Sequence, residues 1–398
     1  MHSGKTVNSR RVAAFAVARW RAEGVFPSEL IADCGEDRAF VQDLVYTVVR
    51  RLRPLRKILG ELVTKWPKGE LEALLYVGAA QIMYMSGVPP YAAVSETVEA
   101  AKLSGGRRKL DPVVNGVLRN LLRRKAELER MVESSSLAVR ESYPDWLVNR
   151  WIARYGEETA ERLAKWHNMP AETFLAYPDG SYVKLARGES VPDQDGYAEG
   201  GFIVQDPATA GVVKLLDVKP GERVLDFCAA PGGKTVQIAW RMKGEGRLLA
   251  QEVNPRRLKR LRENLERTGL GWVETVQSVA GHEGERSFSR VLVDAPCSNS
   301  GVIRRRPDAR WRIDASRVAG AAKMQAEILK SAAAYVEKGG ILVYATCSNE
   351  PEENSMQVER FLASEEGSRF REIGRYESLS VETDHDGAFA CALEASGG

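Results

Sequence analysis

Two cysteines stand in similar contexts along the chain. Cys297 lies in Asp294-Ala295-Pro296-Cys297-Ser298, and Cys347 lies in Tyr344-Ala345-Thr346-Cys347-Ser348. Each follows an apolar run that reads as a strand, and the carboxyl edge of an α/β sheet is where such folds place their chemistry. Thiolates are nucleophiles, so two thiols with the Asp294 carboxylate beside one of them point to covalent catalysis.

A third segment upstream, Cys228-Ala229-Ala230-Pro231-Gly232-Gly233-Lys234, follows the strand-like Val224-Leu225-Asp226-Phe227 and precedes a helix opening at Thr235. Glycines let the backbone approach a ligand, and a helix N-terminus favours negative charge. Three cofactor classes compete for this loop. The G-x-G-x-x-G spacing of dinucleotide binding is absent. A phosphate-binding P-loop would end as Gly233-Lys234-Thr235 does, but it needs glycine where Cys228 stands. S-adenosylmethionine is the third class, with an acid ending the second strand to bind ribose hydroxyls. Glu252 is that acid. Taken alone, the loop is also compatible with an ordinary tight turn.

The elements that position these residues begin near 202. Candidate strands are 223–227, 247–252, 273–277, 290–294, 340–345 and 387–393. Candidate helices are 207–216, 235–241, 255–268, 320–338 and 352–362. Apolar strands separated by helices predict a parallel sheet covered on both faces. Residues 6–135 show helical spacing without strand alternation, which predicts a helical bundle. Between them, a helical start at 145–166 gives way to a Gly/Pro/Asp-rich stretch ending near Gly201. The expected organisation is therefore 1–138 all-helical, 139–201 connecting subdomain and 202–398 cofactor domain.

The 398 residues are 44% hydrophobic and 28% charged, which is the composition of a globular protein. No apolar run reaches the roughly 18 residues of a membrane span. The start Met1-His2-Ser3-Gly4-Lys5 lacks a signal peptide's apolar core. Five cysteines in this length form no disulfide framework, so a reduced, cytoplasmic protein is expected. The four histidines (His2, His167, His282 and His385) show no zinc-ligand spacing with them, and no metal is expected.

The net charge of +3 is uninformative, but its distribution is not. Arg50, Arg51, Arg53, Arg56 and Lys57 form one run. A second runs from Lys102 to Arg130 and includes Arg107, Arg108 and Arg119. Arg304-Arg305-Arg306 is a third. Solvated helix faces would explain any one run; three lean toward a polyanion such as RNA.

Cys228 to Thr235, Asp294 to Ser298, Ala345 to Ser348 and Pro351-Glu352-Glu353-Asn354 together resemble, in order and context, the Sun/RsmB family of RNA cytosine-5 methyltransferases. Asp386-Gly387-Ala388-Phe389-Ala390 is similar to that family's last strand. Val114-Asn115-Gly116-Val117-Leu118-Arg119 resembles the NusB-like RNA-binding domain of its bacterial ribosomal-RNA branch. The resemblance covers nearly the whole chain and is weakest over 168–200. It implies a Rossmann-like methyltransferase domain with a mostly parallel sheet and an antiparallel last strand. It also implies an all-α NusB-like domain, S-adenosylmethionine as cofactor, and a monomer acting on small-subunit (16S) ribosomal RNA.

The same resemblance assigns roles. Cys347 is the nucleophile at cytosine carbon 6, Asp294 hydrogen-bonds the ring near nitrogen 3, and Cys297 serves product release. Cys228, Ala229, Ala230, Pro231, Gly232, Gly233, Lys234, Glu252 and Asp294 hold the cofactor. The target cytosine must be single-stranded or flipped out of its stack. Arg304, Arg305, Arg306 and Lys323 could hold phosphates beside it, with Arg310 and Arg312 competing for that role. One departure stands out. The family's third strand is followed by Gly-Asp, and here Val279-Ala280-Gly281 occupies that place. Ala280 cannot accept the adenosine hydrogen bond, so either His282 or Glu283 substitutes or the cofactor binds more weakly. Two alternatives remain: a transfer-RNA cytosine-5 methyltransferase, and a non-catalytic RNA-binding assembly factor.

Overall fold

The computed structural model describes residues 8–31, 34, 37–104, 109–281, 284 and 286–396. His2, Arg107, Arg108, His282 and Glu283 lie outside the described residues. The chain divides into two compact units, Met1–Asn168 and Met169–Gly398.

Every element of the first unit is a helix among the described residues. They are α1 (Ser9–Glu23), α2 (Pro27–Leu30), α3 (Arg38–Arg50), α4 (Leu52–Gly60), α5 (Glu70–Tyr84), α6 (Pro90–Lys102), α7 (Asp111–Glu133), α8 (Leu137–Arg140), α9 (Asp145–Tyr155) and α10 (Glu157–Asn168). α5 is buried continuously from Ala73 to Ile82, the pattern of a helix enclosed by others. α1, α3, α4, α6 and α7 surround it. Gly78 permits the close crossing with α7, since a Cβ there would overlap Leu118. The single helical start expected over 145–166 is two helices, broken at Gly156, whose φ is +80°. Both belong to this unit.

The second unit opens with a small antiparallel sheet of β1 (Phe174–Ala176), β2 (Tyr182–Lys184) and β3 (Ile203–Val204), in the order β2-β1-β3. Then follow α11 (Ala208–Leu216), β4 (Arg223–Asp226), α12 (Gly233–Met242), β5 (Arg247–Gln251), α13 (Pro255–Arg267), β6 (Glu274–Val276), β7 (Phe288–Asp294), α14 (Ala315–Ala333), β8 (Val336–Thr346), α15 (Ser355–Leu362), β9 (Phe370–Ser378), α16 (Ser380–Thr383) and β10 (Ala388–Ala395). The large sheet has the order β6-β5-β4-β7-β8-β10-β9. The pairings from β6 through β8 are parallel. β10 is antiparallel to both β8 and β9, so the last strand has the expected direction.

The small sheet β1–β3 and the short α16 have no counterpart among the expected elements, and two features around the large sheet also differ from expectation. β9 has no counterpart among the expected strands. It is an edge strand carrying Arg371, Glu372, Arg375 and Glu377, and charge on an edge suppresses pairing with other chains while erasing the apolar pattern. The helix expected over 320–338 instead starts at Ala315, capped by Asp314, and ends at Ala333. Val336 to Lys338 already belong to β8.

Apolar side chains cover both faces of the sheet. Val224, Leu248, Leu292, Val343 and Ala390 pack with α11, α12 and α13 residues on one side. Leu225, Leu249, Val291, Leu342 and Phe389 pack with α14 and α15 residues on the other. The sheet order reverses between β4 and β7, and ligands of open α/β sheets bind in the crevice outside the strand ends at such a point. The loops after β4, β5, β7 and β8 all open there.

Candidate active site

The β4 loop is rigidly held. Asp226 ends the strand and is buried. Its carboxylate accepts a 2.7 Å hydrogen bond from Thr235 Oγ1 in the first turn of α12. Burial pushes the Asp226 pKa up to about 7, against the opposing pull of that hydrogen bond. Gly232 has φ +111°, which a side chain would strain, and a Cβ there would sit 2.8 Å from Leu261 Cδ1. α13 pins the loop from outside: Arg257 donates to the Ala230 carbonyl at 3.0 Å and Asn264 to the Pro231 carbonyl at 2.7 Å. A Cβ on Gly233 would lie 3.1 Å from Gln205 Nε2. No side chain caps the N-terminus of α12, so its leading N–H groups remain for a ligand. This cradle fits an adenosyl cofactor that must lie close to backbone.

Glu252 is buried beyond the end of β5. Oε1 accepts from the Asn254 N–H at 2.8 Å, and Oε2 meets Arg257 at 3.1 Å. Each carboxylate oxygen keeps a second lone pair. Ala280 is exposed, and its N–H donates to Ser278 Oγ at 3.2 Å.

The β7 and β8 loops bring the two sulfurs together. Cys297 Sγ and Cys347 Sγ are 3.1 Å apart. Cys347 donates to Asn299 Oδ1 at 3.4 Å, and Asn299 Nδ2 donates to the Cys297 carbonyl at 3.0 Å. The Cys297 thiol is pushed well above its ordinary pKa, first by its hydrogen bond with Cys347, then by burial and by the Cys347 and Glu353 charges. At neutral pH it is a thiol. Lys234 Nζ reaches from the cofactor loop to Asp294 Oδ2 at 2.7 Å. Burial opposes the Lys234 charge, but the Asp294 charge and hydrogen bond outweigh it and raise the ammonium pKa.

A buried carboxylate ties these loops to each other. Glu353 accepts from the Ser298 N–H and from Gln325 Nε2 on α14, both at 2.9 Å, and from Ser348 Oγ at 2.9 Å. Ser298 and Ser348 directly follow the two cysteines, and their hydroxyls meet at 3.1 Å. Gly301 donates to the Cys347 carbonyl at 3.0 Å and accepts from the Gly387 N–H at 2.8 Å. A Cβ on Gly301 would stand 2.7 Å from the Gly387 oxygen and 2.8 Å from the Cys347 oxygen.

The expected arginine cluster is split. Arg304 is buried and donates to the Pro170 carbonyl at 3.0 Å. Arg305 bridges the Asp206 and Asp386 carboxylates and donates to the Glu172 carbonyl at 2.7 Å. Arg306 and Lys323 are exposed. Arg310 is fully buried, and Arg312 pairs with Asp308 at 3.1 Å.

Asn299, Gln325 and Glu353 escaped the sequence reading as site residues. For Glu353 a signal existed in Pro351-Glu352-Glu353-Asn354, to which no role was attached. His167 is buried beside Trp151 and Trp166. Among the described residues, no group of three His, Cys, Asp or Glu could hold a metal ion. None of the described helices is long and apolar enough to cross a membrane.

Comparison with known proteins places this architecture. The family described as 16S rRNA methyltransferase RsmB/F matches residues 213–390, and the NusB family matches residues 7–123. Ribosomal RNA small subunit methyltransferase B of Serratia proteamaculans is 34% identical over 97% of this chain and 98% of its own length. The crystal structure of PH0851 superposes with a TM-score of 0.77 at 23% identity, covering 97% of this chain and 98% of that one. NSun6 from Pyrococcus horikoshii with SFG, an S-adenosylmethionine analogue, gives a TM-score of 0.57 at 17% identity over 65% of this chain and all of that one. These structures share the fold.

Proposed function

The chain belongs to the RsmB/F family of 16S rRNA methyltransferases, and we propose that it methylates carbon 5 of a cytosine through a covalent Cys347 adduct. It is an S-adenosylmethionine-dependent rRNA methyltransferase. The observation that carries the finer reading is the pair of sulfurs 3.1 Å apart, on the loop that starts from Asp294 and the loop after β8.

Residues 228–234, Glu252 and Asp294 would hold the cofactor. When bound, S-adenosylmethionine supplies an electrophilic methyl group. Carbon 5 of cytosine is a weak nucleophile until sulfur adds at carbon 6. Cys347 makes that bond. Negative charge then develops along the ring edge near nitrogen 3, and Asp294 meets it with a proton drawn from the Lys234 ammonium it already contacts, returning that proton when the ring charge is discharged. For release, the carbon-5 proton must leave and the carbon–sulfur bond must break. Cys297 is a thiol, so it acts as a base only after passing its own proton on, and the departing Cys347 sulfur is within reach to take it. Cys297 thus gives its proton to the departing Cys347 sulfur and takes the carbon-5 proton, and both end as thiols.

Arg306 and Lys323 are the exposed cations proposed to meet RNA phosphates, while Arg304 and Arg305 hold the loop's own framework. We also propose that the protein works as a cytoplasmic monomer, on a target base that is single-stranded or flipped. Labelled methyl transfer to 16S rRNA, followed by nucleoside digestion, tests the reading. The expected product is 5-methylcytidine. A methyl group on a nitrogen, on ribose or on another base would refute it, and preferential labelling of transfer RNA would reassign the substrate.

A further inference from the structure

Asn299 stands two residues past Cys297 with φ +63°, a left-handed backbone that asparagine tolerates better than most residues. Its side-chain amide touches both catalytic loops. Nδ2 donates to the Cys297 carbonyl, which leaves only one orientation and turns Oδ1 toward Cys347 Sγ. An amide oxygen accepts and never donates, so the single Cys347 proton is committed to Asn299. The Cys347 sulfur is then the acceptor in the 3.1 Å sulfur–sulfur contact, and Cys297 is its donor.

We infer that Asn299 is a positioning residue that orders the two thiols into a directed chain, Cys297 donating to Cys347 and Cys347 to the Asn299 oxygen. This rests on Cys347 being the nucleophile. The consequence is a second task for Cys297. As Cys347 attacks, its S–H bond breaks and the proton passes to water, because the amide it faces is not a base. The Cys347 sulfur–carbon 6 bond forms. Throughout, the Cys297 S–H remains aimed at the charged sulfur and supports it, so Cys297 serves attack as well as release.

The test uses the full-length protein and 16S rRNA containing 5-fluorocytosine, whose fluorine cannot leave as the carbon-5 proton does, so the adduct is trapped. Asn299→Gly keeps the left-handed backbone and removes the amide. Asn299→Asp keeps an acceptor but adds charge beside the sulfur. Calorimetry of cofactor binding checks that both variants are folded. Asn299→Gly releases the Cys347 side chain from its fixed orientation and is expected to form adduct about tenfold more slowly through that lost positioning, with an unchanged half-saturating RNA concentration. Asn299→Asp is expected to form adduct with a pH–rate profile displaced to higher pH. An unchanged rate in Asn299→Gly, or an Asn299→Asp profile superimposable on the native one, overturns the inference. If the native enzyme itself formed no adduct, the covalent mechanism would fail instead.

Discussion

Asp226 and Ala280 make opposite demands on the cofactor site. Asp226 is a buried carboxyl whose pKa rises to about 7, against roughly 4 in an unfolded chain. The folded state therefore binds this proton more tightly. Its stabilising contribution is complete below about pH 4 and is lost as pH rises through about 7, and it amounts to a few kcal/mol. Asp226→Asn keeps an acceptor for Thr235 and removes the titration. Urea unfolding across pH 5 to 8 should show a flatter pH dependence in the variant, and an unchanged slope would disprove the assignment. Ala280 is exposed and offers only a methyl group where the resemblance implies an acid. Ala280→Asp should tighten cofactor binding about tenfold, the worth of one added hydrogen bond. Calorimetry measures it, and equal or weaker affinity would show that another residue already fills the role.

Among the elements, the β7 and β8 loops matter most, because their spacing sets the distance between the sulfurs. Gly301 and Glu353 hold that spacing. Gly301→Ala forces a Cβ against two carbonyl oxygens and should reduce methyl transfer at least a hundredfold, with cofactor affinity within about threefold of native. A variant that kept its transfer rate would show that the loops tolerate separation. Glu353→Ala strands three donors, two of them buried, and should cost about 3 kcal/mol of stability in urea unfolding. Much of this scale was legible beforehand. The parallel strands were visible as apolar runs, and the cysteines stood directly after two of them. β9 was not, since its charged edge face hides the alternation. Arg304 and Arg305 read as a cluster for RNA, because a sequence does not show that Asp206 and Asp386 converge on one of them from distant segments. Glu353 read as part of a motif without a role. Its meaning lies in hydrogen bonds to two loops and to α14.

At the scale of the whole molecule, the chain is two units with separate cores. Each buries its own apolar elements: α5 within the helical unit, and the sheet within the other. The helical unit carries the NusB match, and the proposal that the chain acts on rRNA extends to it as the part that captures RNA, although Arg51 and Arg53 of its basic run are paired with Glu141 and Asp145. A protein beginning at Met169 should fold and bind S-adenosylmethionine with an affinity within about threefold of the full chain. Its transfer to 16S rRNA should fall more than tenfold and lose much of its salt dependence, because fewer phosphates are neutralised. Calorimetry and transfer assays over a salt series check this. Native-like transfer by the shortened protein would place RNA capture in the second unit alone.

The two sulfurs have unequal proposed roles, and one experiment separates them. The full-length Cys297→Ala and Cys347→Ala proteins are incubated with unmodified 16S rRNA and S-adenosylmethionine, then resolved under denaturing conditions. Cys297→Ala should accumulate a stable protein–RNA adduct that carries the transferred methyl group, and Cys347→Ala should form none and turn over nothing. An adduct or continued turnover in Cys347→Ala would contradict the assignment of the nucleophile.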